Sequence, residues 1–118
     1  MRIWDLPVGC LCRNHLLAEH RELHAIWNII LLGRKGYSRH PEVLRWHGSL
    51  GALSRRHGEQ VREMSRRGYV HRSPLDLSQV PSRHMGTSQH DLLEPVSEQA
   101  RRLRSKGCAC ATDGLGMR

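Results

Sequence analysis

Arg13-Asn14-His15-Leu16-Leu17-Ala18-Glu19-His20-Arg21-Glu22-Leu23-His24-Ala25-Ile26-Trp27-Asn28-Ile29-Ile30-Leu31-Leu32 is the stretch on which the fold turns. Leu16, Leu23 and Ile30 recur seven residues apart, and Ala18, Ile26, Trp27 and Leu31 widen the stripe. That period is the signature of an α-helix with one buried face. Gly33 follows directly, where a helix can close through a left-handed residue. Asn14 is the N-cap candidate at the other end. A helix is therefore expected over 13–32, with Trp27 packed in the core.

Outward from this helix, residues 1–12 read as a short apolar lead-in broken by Pro7 and Gly9. Residues 33–48, rich in Gly, Arg and His, read as a basic loop with a helical turn after Pro41. Leu50, Leu53, Val61 and Met64 predict a second helix from about Ser49 to Arg67, weakened at His57-Gly58 and closed by Gly68. A polar, proline-containing loop is expected over 70–90. Leu92, Leu93, Val96, Ala100 and Leu103 predict a third helix over 91–104, with Pro95 in its first turn. Nothing alternates as a strand does. The expected fold is all-α: one domain, residues 1–106, of about three main helices joined by long loops, then a mobile tail, 107–118. Hydrophobic residues are 38% and aromatics 4% with no Phe, so Leu, Ile, Val, Ala and Met must build the core.

The formal net charge is +8, and Lys35 and Lys106 are the only lysines, so arginine carries the charge. A guanidinium grips phosphate through a planar fork of donors. The balance favours a polyanionic partner, above all nucleic acid. No apolar run is long enough to span a membrane and no secretory signal is seen, so a cytoplasmic protein is expected.

Two features can carry chemistry. On the first helix, His15, Glu19 and Glu22 are neighbours at spacings of four and three. A carboxylate beside an imidazole suits proton transfer, and equally a solvated helix face. Glu22 lies at the edge of the apolar stripe, where partial burial raises a carboxyl pKa. The second feature is the start, Met1-Arg2. Methionine removal generally needs a small second residue, so Met1 is expected to stay. Its α-amine, with a pKa of about 7.7–8.0, is substantially neutral at physiological pH, unlike a lysine amine. Such an amine can attack an electrophilic sugar carbon and form a Schiff base. The cysteines form two pairs, Cys10/Cys12 and Cys108/Cys110, whose spacing fits neither a zinc knuckle nor a thioredoxin-type motif. Reduced thiols are expected; a four-thiolate zinc site needs the two ends of the chain to meet.

The opening third resembles the pyrimidine-dimer DNA glycosylases of the phage endonuclease V type. The resemblance rests on Arg2-Ile3 behind the first residue, then His15-Leu16, Ala18-Glu19 and Arg21-Glu22-Leu23 on the first helix. Gly36-Tyr37, His40-Pro41, Leu44-Arg45 and Arg67-Gly68-Tyr69 extend it, more diffusely, to about residue 104. The chain departs from the pattern at Ala25, where the family has Arg, and beyond it, where Cys108-Ala109-Cys110 and a Gly-rich end replace an aromatic, basic segment. The resemblance implies a metal-free, cofactor-free monomer that acts on damaged double-stranded DNA. It implies that the Met1 amine attacks the sugar C1′, displacing the base, and that β-elimination at the imine then cuts the strand. Glu22 is the essential carboxylate by this resemblance; Arg2 and Arg21 hold phosphates, and His15 lines the site. These enzymes bend the duplex and turn a nucleotide out of the stack. Arg13, Arg34, Lys35, Arg39 and Arg45 are the candidates for the phosphate-contacting surface. Trp46 is left between stacking on a base and filling a gap. The rival readings are a non-catalytic basic nucleic-acid-binding module and a His/Cys metal protein drawing on His40, His47, His57, His71, His84 or His90.

Overall fold

The computed structural model describes residues 2–107 and 109–111. Its helices are α1 (Arg13–Leu32), α2 (Pro41–Leu44), α3 (Leu50–Arg66) and α4 (Val96–Ser105), with single 3-10 turns at Val8–Cys10 and Ser82–His84. The fold is all-α. The described residues form no strand, only an isolated bridge between Ser49 and Met85.

The main helix forms as its periodicity requires. Leu16, Leu23, Ile26, Trp27 and Ile30 are buried along one face, and Gly33 closes it at φ 63°, donating its N–H to the Ile29 carbonyl. Its other end differs from expectation: the helix begins at Arg13, so Cys12 occupies the N-cap and Asn14 lies inside the first turn. His57-Gly58 does not interrupt α3, because His57 is buried against α1 and tertiary packing overrides the weak local propensity. The third predicted helix starts at Val96 behind Pro95, leaving 91–94 irregular.

Helices α1 and α3 pack against each other and bury two apolar clusters. The larger joins Ile3, Leu23, Ile26, Trp27, Val43, Trp46, Leu50 and Leu53. The smaller joins Trp4, Leu6, Leu11, Leu16, Met64 and Leu103. Leu16 shares a cluster with Met64 and Leu23 with Leu53, so the helices run antiparallel. Between the clusters lies a polar layer: Glu19 and His20 from α1, His57 and Gln60 from α3, all buried. Trp46 belongs to the core, its Nε1 donating to Glu42 Oε1 at 3.1 Å. Three tryptophans thus join the aliphatic side chains from which the core was expected to be built.

The loop after α3 docks back on that helix. Gly86 N donates to Gly48 O and Ala52 N donates to Gly86 O, each at 2.9 Å. The Gly86 carbonyl thereby caps an N-terminal turn that has no side-chain cap. The approach is so close that a Cβ on Gly86 would lie 2.3 Å from the Gly48 carbonyl oxygen.

Cys108 and residues 112–118 of the expected tail lie outside the described residues. Within it, Ala111 N donates to Cys10 O at 2.7 Å and Cys110 packs against the smaller cluster. Cys110 and Ala111 therefore lie against the N-terminal segment at Cys10.

Candidate active site

The N-terminal segment is extended and pairs with no strand, so its backbone groups need other partners. Side chains supply them. Trp4 N donates to Glu19 Oε1 at 2.7 Å. Arg45 donates to Ile3 O at 2.9 Å and to Asp5 Oδ1 at 3.0 Å. Asp5 N donates to Gln99 Oε1 at 2.8 Å, and Arg56 donates to Leu6 O at 2.7 Å. Residues 3–6 are threaded through a scaffold built from α1, α3, α4 and the residue that follows α2.

This threading lays Arg2 on the wall of a cavity of about 370 Å³. Trp4, His15, Ala18, Glu19 and Glu22 line it with Arg2, and α4 adds Arg102 and Ser105, with Lys106 directly after the helix. Arg2, His15 and Glu22, expected at the site from the sequence, are thus brought to one cavity. Met1 lies outside the described residues; Arg2 is its neighbour in the chain.

The two carboxylates of this helix face have different surroundings. Glu19 is fully buried and accepts from Trp4 N, from Gln60 Nε2 and twice from Arg56, at 2.9 and 3.0 Å. Those bonds use its lone pairs structurally. Glu22, one turn on and half-buried, also lines the cavity. His15 stands edge-on to the Trp4 ring, with its Nδ1 3.1 Å from the Cys12 Sγ and 3.4 Å from the Cys110 Sγ. Burial, then the charge of Lys106, hold its pKa below the ordinary imidazole value. His15 is therefore neutral near pH 7 and able to accept a proton.

The arginines divide. Arg2 lies over the Trp4 ring and pairs with Glu94, which also accepts from Arg102 at 2.8 Å. Burial opposes ionisation of Glu94, but the bonds from Arg102 and Arg2 prevail and lower its pKa. Arg13 and Arg21 are exposed, Arg13 with its guanidinium 5.7 Å from the Tyr69 ring centre. Arg34, Lys35 and Arg39 are exposed around Tyr37, itself 73% exposed and held at φ 59°. Arg45 departs from expectation. Its side chain is 3% exposed and donates to Glu42, Asp5, Ile3 O and Asp91 O, so it positions the N-terminal segment and has no face for a phosphate.

The sequence reading also missed Arg56, Gln60 and Gln99, whose partners lie 37 to 94 residues away. It missed the α4 wall as well; the only available signal was that Arg102 and Lys106 are four apart on one helical face. A second constellation lies in the polar layer, where the rings of His20, His24, His57 and His71 meet. Burial lowers the pKa of His20, His24 and His57, that of His57 to about 4.

These features define a class: a small, basic helical domain whose residues 2–6 are pinned beside a carboxylate-bearing cleft. The comparisons name the family. The family model described as pyrimidine dimer DNA glycosylase matches residues 1–77, and the chain belongs to that family. No curated protein and no solved structure matches the chain. The match spans the N-terminal segment and α1 to α3, and ends before the helix that completes the cavity wall.

Proposed function

We propose that the protein is a DNA glycosylase with abasic-site lyase activity, acting on damaged duplex DNA through the α-amine of Met1. The observation that carries this reading is the sharing of one cavity by Arg2, the residue after that amine, and Glu22. Family membership supports damaged DNA as substrate, and the arginine-rich surface suits its phosphates.

In the proposed chemistry the neutral amine attacks C1′ of the damaged nucleotide. The glycosidic C1′–N bond breaks, its electron pair leaving with the base, which takes up a proton. The sugar ring opens to an imine at C1′. Loss of a C2′ proton then expels the 3′ phosphate by β-elimination, and water releases the amine. Glu22 stabilises the cationic intermediate and carries protons between these steps. Arg2 and Arg21 hold phosphates beside the lesion, and His15 is the second proton acceptor at the wall. Exposed Tyr37, on its basic loop, is placed to stack on an unpaired base.

Borohydride added with abasic duplex DNA tests the reading, since it reduces an imine to a stable covalent adduct. The expected result is an adduct with the wild type, and none after the N-terminus is extended by one blocked residue, with binding unchanged. DNA binding without an adduct under any lesion would support the non-catalytic module instead.

A further inference from the structure

We propose that His20, His24, His57 and His71 form a binding site for one transition-metal dication, with zinc the preferred ion. Three separate parts of the chain meet there. Helix α1 supplies His20 and His24, one turn apart on one face; α3 supplies His57; the loop after α3 supplies His71. One ring nitrogen from each lies within 4.8 Å of all the others. Neighbouring ring centres are 4.7 to 5.2 Å apart.

The bonding around these rings points to a Lewis acid at their centre. The Nε2 atoms of His20, His24 and His71 are buried and have no hydrogen-bond partner. For His20, 8% exposed, the tautomer follows from its partners. The Glu19 carboxylate accepts from Gln60 Nε2, which turns Gln60 Oε1 toward His20 Nδ1 at 2.9 Å. His20 Nδ1 must then carry the proton, and Nε2 presents a bare lone pair to the other rings. A carboxylate chain that fixes the far nitrogen of an imidazole is the usual outer shell of a metal-bound histidine. Three buried ring nitrogens without partners are a cost that a domain of this size carries poorly, and one cation resolves them together.

The donor set selects the ion. Imidazole suits zinc, copper, iron and nickel, and with no oxygen donor the set does not suit magnesium or calcium. Four protein ligands leave no open position, so the site is structural. With Zn–N near 2.0–2.1 Å, tetrahedral ligands lie about 3.3 Å apart, so the rings need to close by on the order of 1 Å. The ion would fasten the loop at His71 to the α1–α3 pair. Through Gln60 and Glu19 it would also stiffen the layer that holds Trp4 N.

The test uses untagged full-length protein and zinc(II) itself, read by metal analysis and thermal melting. About one zinc per chain is expected, and a chelator should lower Tm. His71→Gln and His24→Gln should each lose at least the roughly 10–100-fold in affinity that disturbing an outer shell causes, and their melting should ignore the chelator. Both positions are half-buried, so these variants test the site without emptying the core. The Cys12→Ser/Cys110→Ser double variant should keep its zinc, and cobalt(II) should give a tetrahedral visible spectrum without thiolate charge transfer. Failure of chelator-treated protein to take up zinc would overturn the site. So would zinc that survives His71→Gln but leaves the cysteine double variant, which would place the ion at Cys12, His15 and Cys110.

Discussion

Arg45 and Glu63 show how buried ion pairs set what single substitutions do. Arg45 lies in a Gly-, Arg- and His-rich stretch that reads as solvent-facing, yet its partners are residues 3, 5, 42 and 91. Arg45→Ala should therefore cost about 3–5 kcal/mol in denaturant unfolding, because Glu42 keeps a buried charge. If Arg45 served DNA instead, the same variant would keep wild-type stability and lose affinity. Glu63 accepts from Arg66 and, at 2.7 Å, from Arg67; the Arg66 bond leads in lowering its pKa to about 2. A carboxylate depressed on folding stabilises above its unfolded pKa near 4.5, and that contribution fades as pH falls toward 2. The stability gap between wild type and Glu63→Gln should be widest near neutrality and close between about pH 4.5 and 2. A gap independent of pH would contradict the pairing. Helical spacing set His15 on the face of Glu22, and the family resemblance, not any spacing, added Arg2; all three line one cavity. Sequence reading misplaced Arg45 because nothing local marks a guanidinium whose partners are distant. It named His57 and His71 among candidate metal ligands but passed over His20 and His24, whose spacing of four is the one local mark of the histidine layer; that these parts of the chain meet is a tertiary fact with no sequence signal.

Among the elements, the Gly86 turn does for α3 what a capping side chain does elsewhere, and it needs the absence of a Cβ to do so. Gly86→Ala should force the turn away from Gly48 and destabilise by about 1–3 kcal/mol, measured by thermal or denaturant unfolding. Unchanged stability would mean that the loop does not dock on α3 as described. The helices were legible because each carries a regular apolar stripe, and Gly33 marked the end of α1. The docking of 80–86 was not legible: it rests on backbone hydrogen bonds between Gly48, Ala52 and Gly86, which leave no trace in side-chain pattern. The basic loop that carries Tyr37 makes a separate prediction. Tyr37→Ala should weaken binding to lesion-bearing duplex on the order of tenfold with little loss of stability, since stacking is worth about 1–3 kcal/mol per base and the ring is exposed. Equal affinity would remove Tyr37 from the interface.

At the scale of the whole molecule, a polar layer divides the core between two apolar clusters, and the Glu19 end of that layer holds the N-terminal segment in place. The arginines differ in burial: the guanidinium of Arg45 is buried and holds the scaffold, while Arg21, Arg34 and Arg39 are exposed. Neutralising one phosphate-contacting arginine should reduce the slope of log K against log salt by about 0.9, measured by titration at several salt concentrations. Arg34→Ala and Arg39→Ala are expected to show this change, and identical slopes would remove the loop from the phosphate-contacting surface. The proposal at stake is that the α-amine of Met1 is the nucleophile. Its most direct test is mass-spectrometric mapping of the borohydride-reduced adduct formed with abasic duplex. The account predicts the reduced sugar on the α-nitrogen of Met1. A sugar on the side chain of Lys106, the lysine that lines the same cavity, would contradict it.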